Sequence, residues 1–392
     1  MAPPDSPDTH GAARSPFILF RDDFSGEETL FDRAEKIVVA EQADDFFPAL
    51  EIVQRAHDEG KWLAGYFSYE AGYLLEPKLR IILPERRTTP LMIMGVFDGP
   101  SDKRLERQRP TTNGPIFGVR ATWSYEDYKT RFDQVHRHLR QGDCYQANLT
   151  FPVEAKWSGD PLSAFDALAA RQAVKYGALA DLGGPVILSR SPELFFEIDG
   201  DGWIETHPMK GTAPRGATPE EDEEQKRFLA NDPKNQAENR MIVDLLRNDI
   251  SLISEVGTLD VPELFRIESF ATVHQMVSRV RAKLLPDLTI RDIFSALFPC
   301  GSITGAPKIR AMEILRDLES APRNAYCGAI GWIAPSGRMR FNVAIRTITL
   351  FPDGEAVYNV GGGVVFDSTA EEEYAECLLK ARYATGRPPT ST

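Results

Sequence analysis

The sequence predicts a mixed α and β fold with much antiparallel sheet, and three observations carry that prediction. Helix and strand signals interleave along most of the chain, and the last third reads as strand-like runs separated by turn residues. The 392 residues are 42% hydrophobic and 26% charged, the proportions of an ordinary globular chain. At roughly 100–200 residues per domain, that length allows two or three domains or one large one.

The chain opens on Met1-Ala2-Pro3-Pro4-Asp5-Ser6-Pro7, which is Pro-rich and polar and lacks the apolar core of a leader. A disordered tail is expected over residues 1–16, and a second over 387–392, around Gly386-Arg387-Pro388-Pro389. Ser124, with Asp127 three residues on, is a capping-box variant, and Tyr128, Phe132, Val135 and Leu139 follow at helical spacing up to Gly142. Leu194–Ile198 and Trp203-Ile204 read as a hairpin around Asp199-Gly200-Asp201-Gly202. Thr218-Pro219-Glu220-Glu221 starts a helix, Asn231-Asp232-Pro233 interrupts it, and a second helix carries Glu238, Met241, Ile242, Leu245 and Leu246. Tyr326–Ile333, Arg340–Phe351 and Glu355–Phe366 read as a meander, closed by a helix with Ser368 as N-cap and Glu371 completing its capping box.

Composition excludes several classes of function. Lys and Arg total 45 against 58 Asp and Glu, a net charge of −13, which repels phosphate backbones, so no nucleic-acid partner is expected. The longest apolar run, Leu91–Phe97, falls far short of the ~20 residues that span a bilayer, so no membrane association is expected. Cys144, Cys300, Cys327 and Cys377 are scattered without CxxC spacing and read as buried free thiols of a cytoplasmic protein.

Several residues suggest chemistry. Glu373 and Glu376 share one face of the closing helix, and Glu238 lies on another helix; such carboxylates suit Mg²⁺, although Glu376 with Lys380 also reads as a surface i,i+4 pair. Arg346 sits in an apolar strand, where burial demands an anionic partner, either a ligand or a structural carboxylate. Gly361-Gly362-Gly363 allows close backbone approach, to an anion or simply at a bend. Gly301–Lys308 lacks the Gly-Lys-Ser/Thr ending of a nucleotide loop. Lys210 follows a strand, where a lysine is usually solvated but becomes a nucleophile when desolvated in a cleft.

Together these segments resemble the chorismate-utilising enzymes, a family that includes component I of anthranilate synthase and of aminodeoxychorismate synthase. The matching runs are Gly142–Leu149, Ser191-Pro192-Glu193, Pro208–Thr212, Ala237-Glu238-Asn239, Ile242–Asp249, Gly301–Lys308, Tyr326-Cys327-Gly328, Arg346, Gly361–Gly363 and Glu373–Glu376. The resemblance implies an α+β fold of two packed, largely antiparallel β-sheets flanked by helices in four αββα layers. It implies an N-terminal component I segment over 17–115 and a chorismate-binding catalytic domain over 116–386.

It further implies Mg²⁺ held by Glu238, Glu373 and Glu376 against the ring carboxylate of chorismate. Arg346 and Tyr326, with backbone amides near Gly361 and Gly363, would hold the enolpyruvyl carboxylate, and Thr304 would lie near the ring carboxylate. Glu193 is the implied general acid/base for departure of the 4-hydroxyl. Gln146 stands where water-activating relatives carry Lys, and Gln cannot act as a base, which favours a nitrogen nucleophile. Lys210, where anthranilate-forming relatives usually carry Ala, is the implied nucleophile at C2. The expected reaction is therefore amination of chorismate at C4 in the 4-aminobenzoate and folate route, with amination at C2 as the alternative and a non-catalytic chorismate-binding subunit as a second. No glutaminase motif is present in the sequence, so ammonia is expected from solution or a separate glutamine amidotransferase subunit, and a separate aminodeoxychorismate lyase would act on the product. Two departures stand out: Gln275 replaces a family His, beside His274, and Cys300 replaces a common Gly.

Overall fold

Alternation along the strands assigns the apolar residues to three layers. On Phe17–Arg21, Phe17 and Leu19 pack to one side and Ile18 to the other. On Trp62–Phe67, Leu63 and Phe67 face one cluster while Ala64 and Tyr66 face another. With a side-chain period of two, a strand buried on both faces must be apolar on both, and each fully buried Phe or Ile contributes about 1.5–3 kcal/mol. The cluster shared by both sheets, with Ile18, Phe31, Tyr66, Ile93, Phe97, Ile187 and Ile330, is the layer between them.

The computed structural model describes residues 15–107, 114–270 and 273–390. Nine strands form one sheet, in the order Gly305–Ala306, Gln146–Trp157, Glu355–Val364, Thr347–Leu350, Val186–Ser191, Tyr176–Asp181, Phe17–Arg21 and Glu28–Asp32, with Ile116–Ala121 also pairing with Gln146–Trp157. Ten strands form the other: Met209–Pro214, Val273–Lys283, Trp203–Thr206, Leu194–Ile198, Met339–Val343, Ala329–Ile333, Trp62–Phe67, Met92–Phe97 and Lys36–Ala40, with Asp260–Ser269 beside Val273–Lys283. The pairings within both sheets are antiparallel. Helices Ala43–Asp58, Pro233–Ser251 and Ile290–Leu297 pack on the outside of the ten-stranded sheet. Tyr125–Gln141, Pro161–Arg171, Lys308–Leu318 and Ala370–Ala381 pack on the nine-stranded one. This is the expected four-layer αββα arrangement.

Local signals hold at most helix starts. Ser124 Oγ accepts from the Asp127 amide at 3.2 Å and the Ser124 amide donates to Asp127 Oδ2 at 3.1 Å, closing the predicted capping box. Asp232 ends Pro219–Asn231 and caps Pro233–Ser251, accepting from the Asn235 amide at 2.8 Å. Leu194–Ile198 and Trp203–Thr206 form the predicted hairpin. All four cysteines are free and buried, and among the described residues no helix is long and apolar enough to cross a membrane.

Four expectations need correction. The C-terminal third is not one meander: the predicted strand Arg340–Phe351 breaks into Met339–Val343 and Thr347–Leu350, which belong to different sheets. Arg346 lies in the break with a left-handed φ of 50°, so the apolar run is a crossing between two buried layers, not one strand. The closing helix is capped by Thr369, which accepts from the Glu372 amide at 3.4 Å, one residue later than predicted. Residues before 115 form no separate body, because Phe17–Arg21 extends one sheet and Trp62–Phe67 the other. Finally, of the expected tail 387–392, Thr390 bridges Arg120, and its amide donates to the Val119 carbonyl at 3.1 Å. Residues 1–14 of the expected N-terminal tail lie outside the described residues.

Candidate active site

The site lies where the chain crosses between the sheets. Val186–Ser191 belongs to the nine-stranded sheet and Leu194–Ile198 to the ten-stranded one, so Glu193 sits in one crossing, and Arg346 sits in the reverse crossing. The two are tied together: the Arg190 amide donates to the Arg346 carbonyl at 2.9 Å and the Val343 amide to the Glu193 carbonyl at 3.1 Å. Ser191 Oγ donates to the Val343 carbonyl at 2.6 Å. Asn324, Cys327 and Arg346 all adopt positive φ here, a concentration of strained backbone typical of functional sites.

Glu193 is 6% exposed, and Ser302 Oγ donates to its Oε1 at 2.6 Å. Burial raises its pKa, against the opposing pull of Ser302 and of the Lys210 and Arg346 cations, so both cations face this carboxyl. Arg346 is enclosed by protein but keeps part of its surface open, and burial pulls its pKa down while Tyr383 and Glu193 oppose that shift. Among the described residues no carboxylate forms an ion pair with it, which leaves its fork for a ligand anion.

Lys210 stands on Met209–Pro214, at the edge of the ten-stranded sheet, where the register slips between Met209 and Thr212. The slip frees the lysine from the ladder. Its carbonyl accepts from Asn239 Nδ2 at 3.4 Å, and Asn239 is in turn fixed by Ser278 Oγ at 2.6 Å. From the strand next to the edge of the other sheet comes Gln146, held by pairing of Gln146-Ala147 with Gly305-Ala306. Its Nε2 is buried with no hydrogen-bond partner. Gly363 joins the two: a Cβ there would stand 2.7 Å from Gln146 Nε2 and 3.3 Å from Lys210 Nζ. Gly361, by contrast, is demanded by the neighbouring strand, since a Cβ would lie 2.5 Å from the Leu149 carbonyl.

Thr304 is fully buried, and its hydroxyl lies 3.2 Å from the carbonyls of Cys300 and Gly301, bracing its own loop. Tyr326 is buried in a turn before Ala329–Ile333, not in the strand as predicted; burial raises its pKa, Cys327 adds to the shift and Arg323 opposes it. Nothing among those neighbours joins it to Arg346. His274 is satisfied away from the site, with Nε2 2.9 Å from Asp222 Oδ1 and Nδ1 2.9 Å from Ser269 Oγ. Gln275 pairs opposite Thr212, two residues beyond Lys210. A surface groove bounded by Ile82, Arg316 and Pro322 contains none of these residues.

The three expected metal ligands are only partly assembled. Ser368, displaced from its expected capping role, donates to Glu373 Oε1 at 2.7 Å. Burial raises the pKa of Glu373, and the charge of Glu376 adds to the shift. For Glu376, burial pushes upward but Lys380, at 2.7 Å, with Lys210 and Lys234, holds the pKa below its ordinary value. Glu238 is half-buried, one turn along the helix from that Lys234. Among the described residues no three His, Cys, Asp or Glu side chains come close enough to hold a metal ion. The donor set itself, half-buried Glu373 with exposed Glu376 one turn on and Glu238 on a second helix, has the hard oxygens that Mg²⁺ prefers, and Glu373 Oε2 is 2.7 Å from where a Gly362 Cβ would stand, within the glycine cradle. The chemistry of these residues fits that ion.

Ser302, Asn239, Ser278, Ser368 and Lys380 were not singled out as site residues from sequence. Ser302 and Asn239 lie inside the motif runs, but nothing in their spacing announces which side chain they hold.

Residues 15–386 match the family model for chorismate binding enzymes, and the chain belongs to that family. Aminodeoxychorismate synthase component 1 of Klebsiella aerogenes is 46% identical over 261 residues, 67% of this chain and 57% of that protein. The protein of the same name from Escherichia coli is 46% identical over 255 residues, 65% of this chain and 56% of that one. Anthranilate synthase component I from Streptococcus pneumoniae superposes with a TM-score of 0.75 at 26% identity, covering 98% of this chain and 94% of that one. The matched region spans little more than half the length of the curated relatives.

Proposed function

We propose that this chain aminates chorismate at C4, forming 4-amino-4-deoxychorismate as the synthase component of a pair whose glutaminase partner supplies ammonia. The observation that carries this reading is Lys210, whose amine stands over Gly363 beside Gln146 and whose charge reaches the buried Glu193. Arg346 takes a substrate carboxylate in its open fork. The Lys210 ammonium passes a proton to the Glu193 carboxylate that its charge faces, and the free amine attacks ring C2, forming a C–N bond; the two ring double bonds shift, and the C4–O bond breaks. Glu193, whose raised pKa favours the protonated form, gives its proton to the departing hydroxyl so that water leaves. Ammonia then adds at C4, the double bonds shift back, and the bond from C2 to Lys210 breaks. The pyruvyl arm is never eliminated.

Glu238, Glu373 and Glu376 would hold Mg²⁺, which when bound supplies positive charge for the ring carboxylate. Gln146 has no base to offer a water molecule, and its unpaired Nε2 is left as a donor toward substrate. Names of the matched relatives support the reading. The alternative is anthranilate formation, which the likeness to the Streptococcus pneumoniae protein favours. Lys210→Ala separates the two. Under our reading it loses amination at C4 by about 10²–10⁴-fold, the scale of a lost proton-transfer or nucleophilic group. Full retained activity with ammonium would contradict the covalent step.

A further inference from the structure

The reaction described above leaves one buried group next to Glu193 unused. Cys300 Sγ lies 3.2 Å from Ser302 Oγ, which itself donates to Glu193 Oε1 at 2.6 Å, and all three side chains are buried. A serine hydroxyl has one proton and two lone pairs. With that proton committed to Glu193, Ser302 can only accept on its other side, so the S–H of Cys300 is the donor. The Ser302 backbone amide also lies at the sulfur, on its accepting side, which leaves the S–H for Ser302 Oγ. Among the described residues no hydrogen bond engages Glu193 Oε2, which is left for the cleft.

We propose that Cys300 is a positioning residue for Glu193: its thiol donates to Ser302 Oγ, commits the serine's proton to Glu193 Oε1, and so fixes the carboxylate with its second oxygen toward the substrate. The inference rests on reading Glu193 as the acid/base. A proton taken up by Glu193 on Oε2, the oxygen left for the cleft, stands where the departing hydroxyl receives it, while Ser302 keeps donating to Oε1. The neutral carboxyl pulls less strongly on the serine proton, so the bond from the S–H to Ser302 Oγ weakens. The charged groups facing this chain are Lys210 and Arg346 at Glu193 and Lys308 at Cys300. They remain in every Cys300 variant, so a difference between Cys300→Gly and Cys300→Ser isolates the donated hydrogen bond.

Infrared difference titration of the full chain tests the proposal. The S–H stretching band lost in Cys300→Gly should move as Glu193 titrates, and should stay fixed in Glu193→Ala. The titration midpoint of the Glu193 carboxyl should rise by about 0.5–1 unit in Cys300→Gly, the scale of one net hydrogen bond, and return in Cys300→Ser. In assays with chorismate and ammonium, the limb of the pH profile that vanishes in Glu193→Gln should move the same way, with KM for chorismate unchanged. An S–H band indifferent to pH, or an unmoved midpoint in Cys300→Gly, overturns the proposal. If Cys300→Gly does not fold, Cys300→Ala makes the same comparison. Should the enzyme fail to aminate chorismate, the functional reading falls, while the infrared result still decides the role of Cys300.

Discussion

The Val343 amide donates to the Glu193 carbonyl at 3.1 Å, so the two segments that carry the chain between the sheets are joined directly beneath the reacting carboxyl. Neither Glu193 nor Arg346 sits in a loop free to wander. Each is fixed by the sheet behind it and the sheet ahead of it, which gives rigid support to a site that, under the proposed function, holds a dianionic substrate in an acidic protein.

Arg346 couples binding to strain. Its φ of 50° costs a non-glycine residue about 1–3 kcal/mol, so the arginine is kept there at the expense of stability. Arg346→Gly should therefore leave Tm equal or higher while raising KM for chorismate about 10–100-fold, the loss of a charge-assisted contact. A fall in Tm with KM unchanged would make the arginine a structural ion-pair member instead.

The two glycines of the cradle should separate cleanly. Gly361→Ala drives a Cβ into the Leu149 carbonyl and should lower Tm by several degrees, since backbone must shift. Gly363→Ala meets the flexible ends of Gln146 and Lys210 and should cut kcat at least tenfold with little change in Tm. Thermal melts beside steady-state kinetics of both variants check this.

Chelation should abolish turnover, and added Mg²⁺ should restore it. Glu373→Gln should weaken Mg²⁺ binding about tenfold or more, and Ser368→Ala, which releases the Glu373 carboxylate, should do so to a smaller degree. Calorimetric titration with Mg²⁺ measures both; full affinity in Glu373→Gln would remove that residue from the metal set.

Glu70 gives a pH-dependent stability. It is 1% exposed, Oε1 accepts from the Arg323 amide at 2.7 Å, and Oε2 has no partner. Burial raises its pKa from 4.5 to about 7. Between those values the unfolded chain has lost the proton and the folded chain keeps it, so stability falls as pH rises through the window and levels off above pH 7. The loss amounts to roughly 3 kcal/mol at most. Glu70→Gln should flatten the fall in denaturant melts from pH 4.5 to 8; an unchanged slope would assign it to other groups.

Much of this was legible in the sequence where local chemistry decides. The Ser124 capping box, the break at Asp232 and the Asp199–Gly202 hairpin each follow from side chains acting on nearby backbone. The crossing at Arg346 did not, because an apolar run reads alike whether it feeds one buried sheet or passes between two. Ser368 illustrates the same limit within the site. Its spacing fits a cap, but Thr369 serves as well one residue later, and only the fold reveals that Ser368 holds Glu373. The cradle of Gly363, Gln146 and Lys210 is likewise assembled from three distant segments.

The most direct test of the account is the identity of the product formed from chorismate, Mg²⁺ and excess ammonium at mildly alkaline pH, read by mass spectrometry. The account predicts a product that keeps the pyruvyl arm, carries an amino group at C4, and becomes 4-aminobenzoate when aminodeoxychorismate lyase is added. Anthranilate with free pyruvate would contradict it.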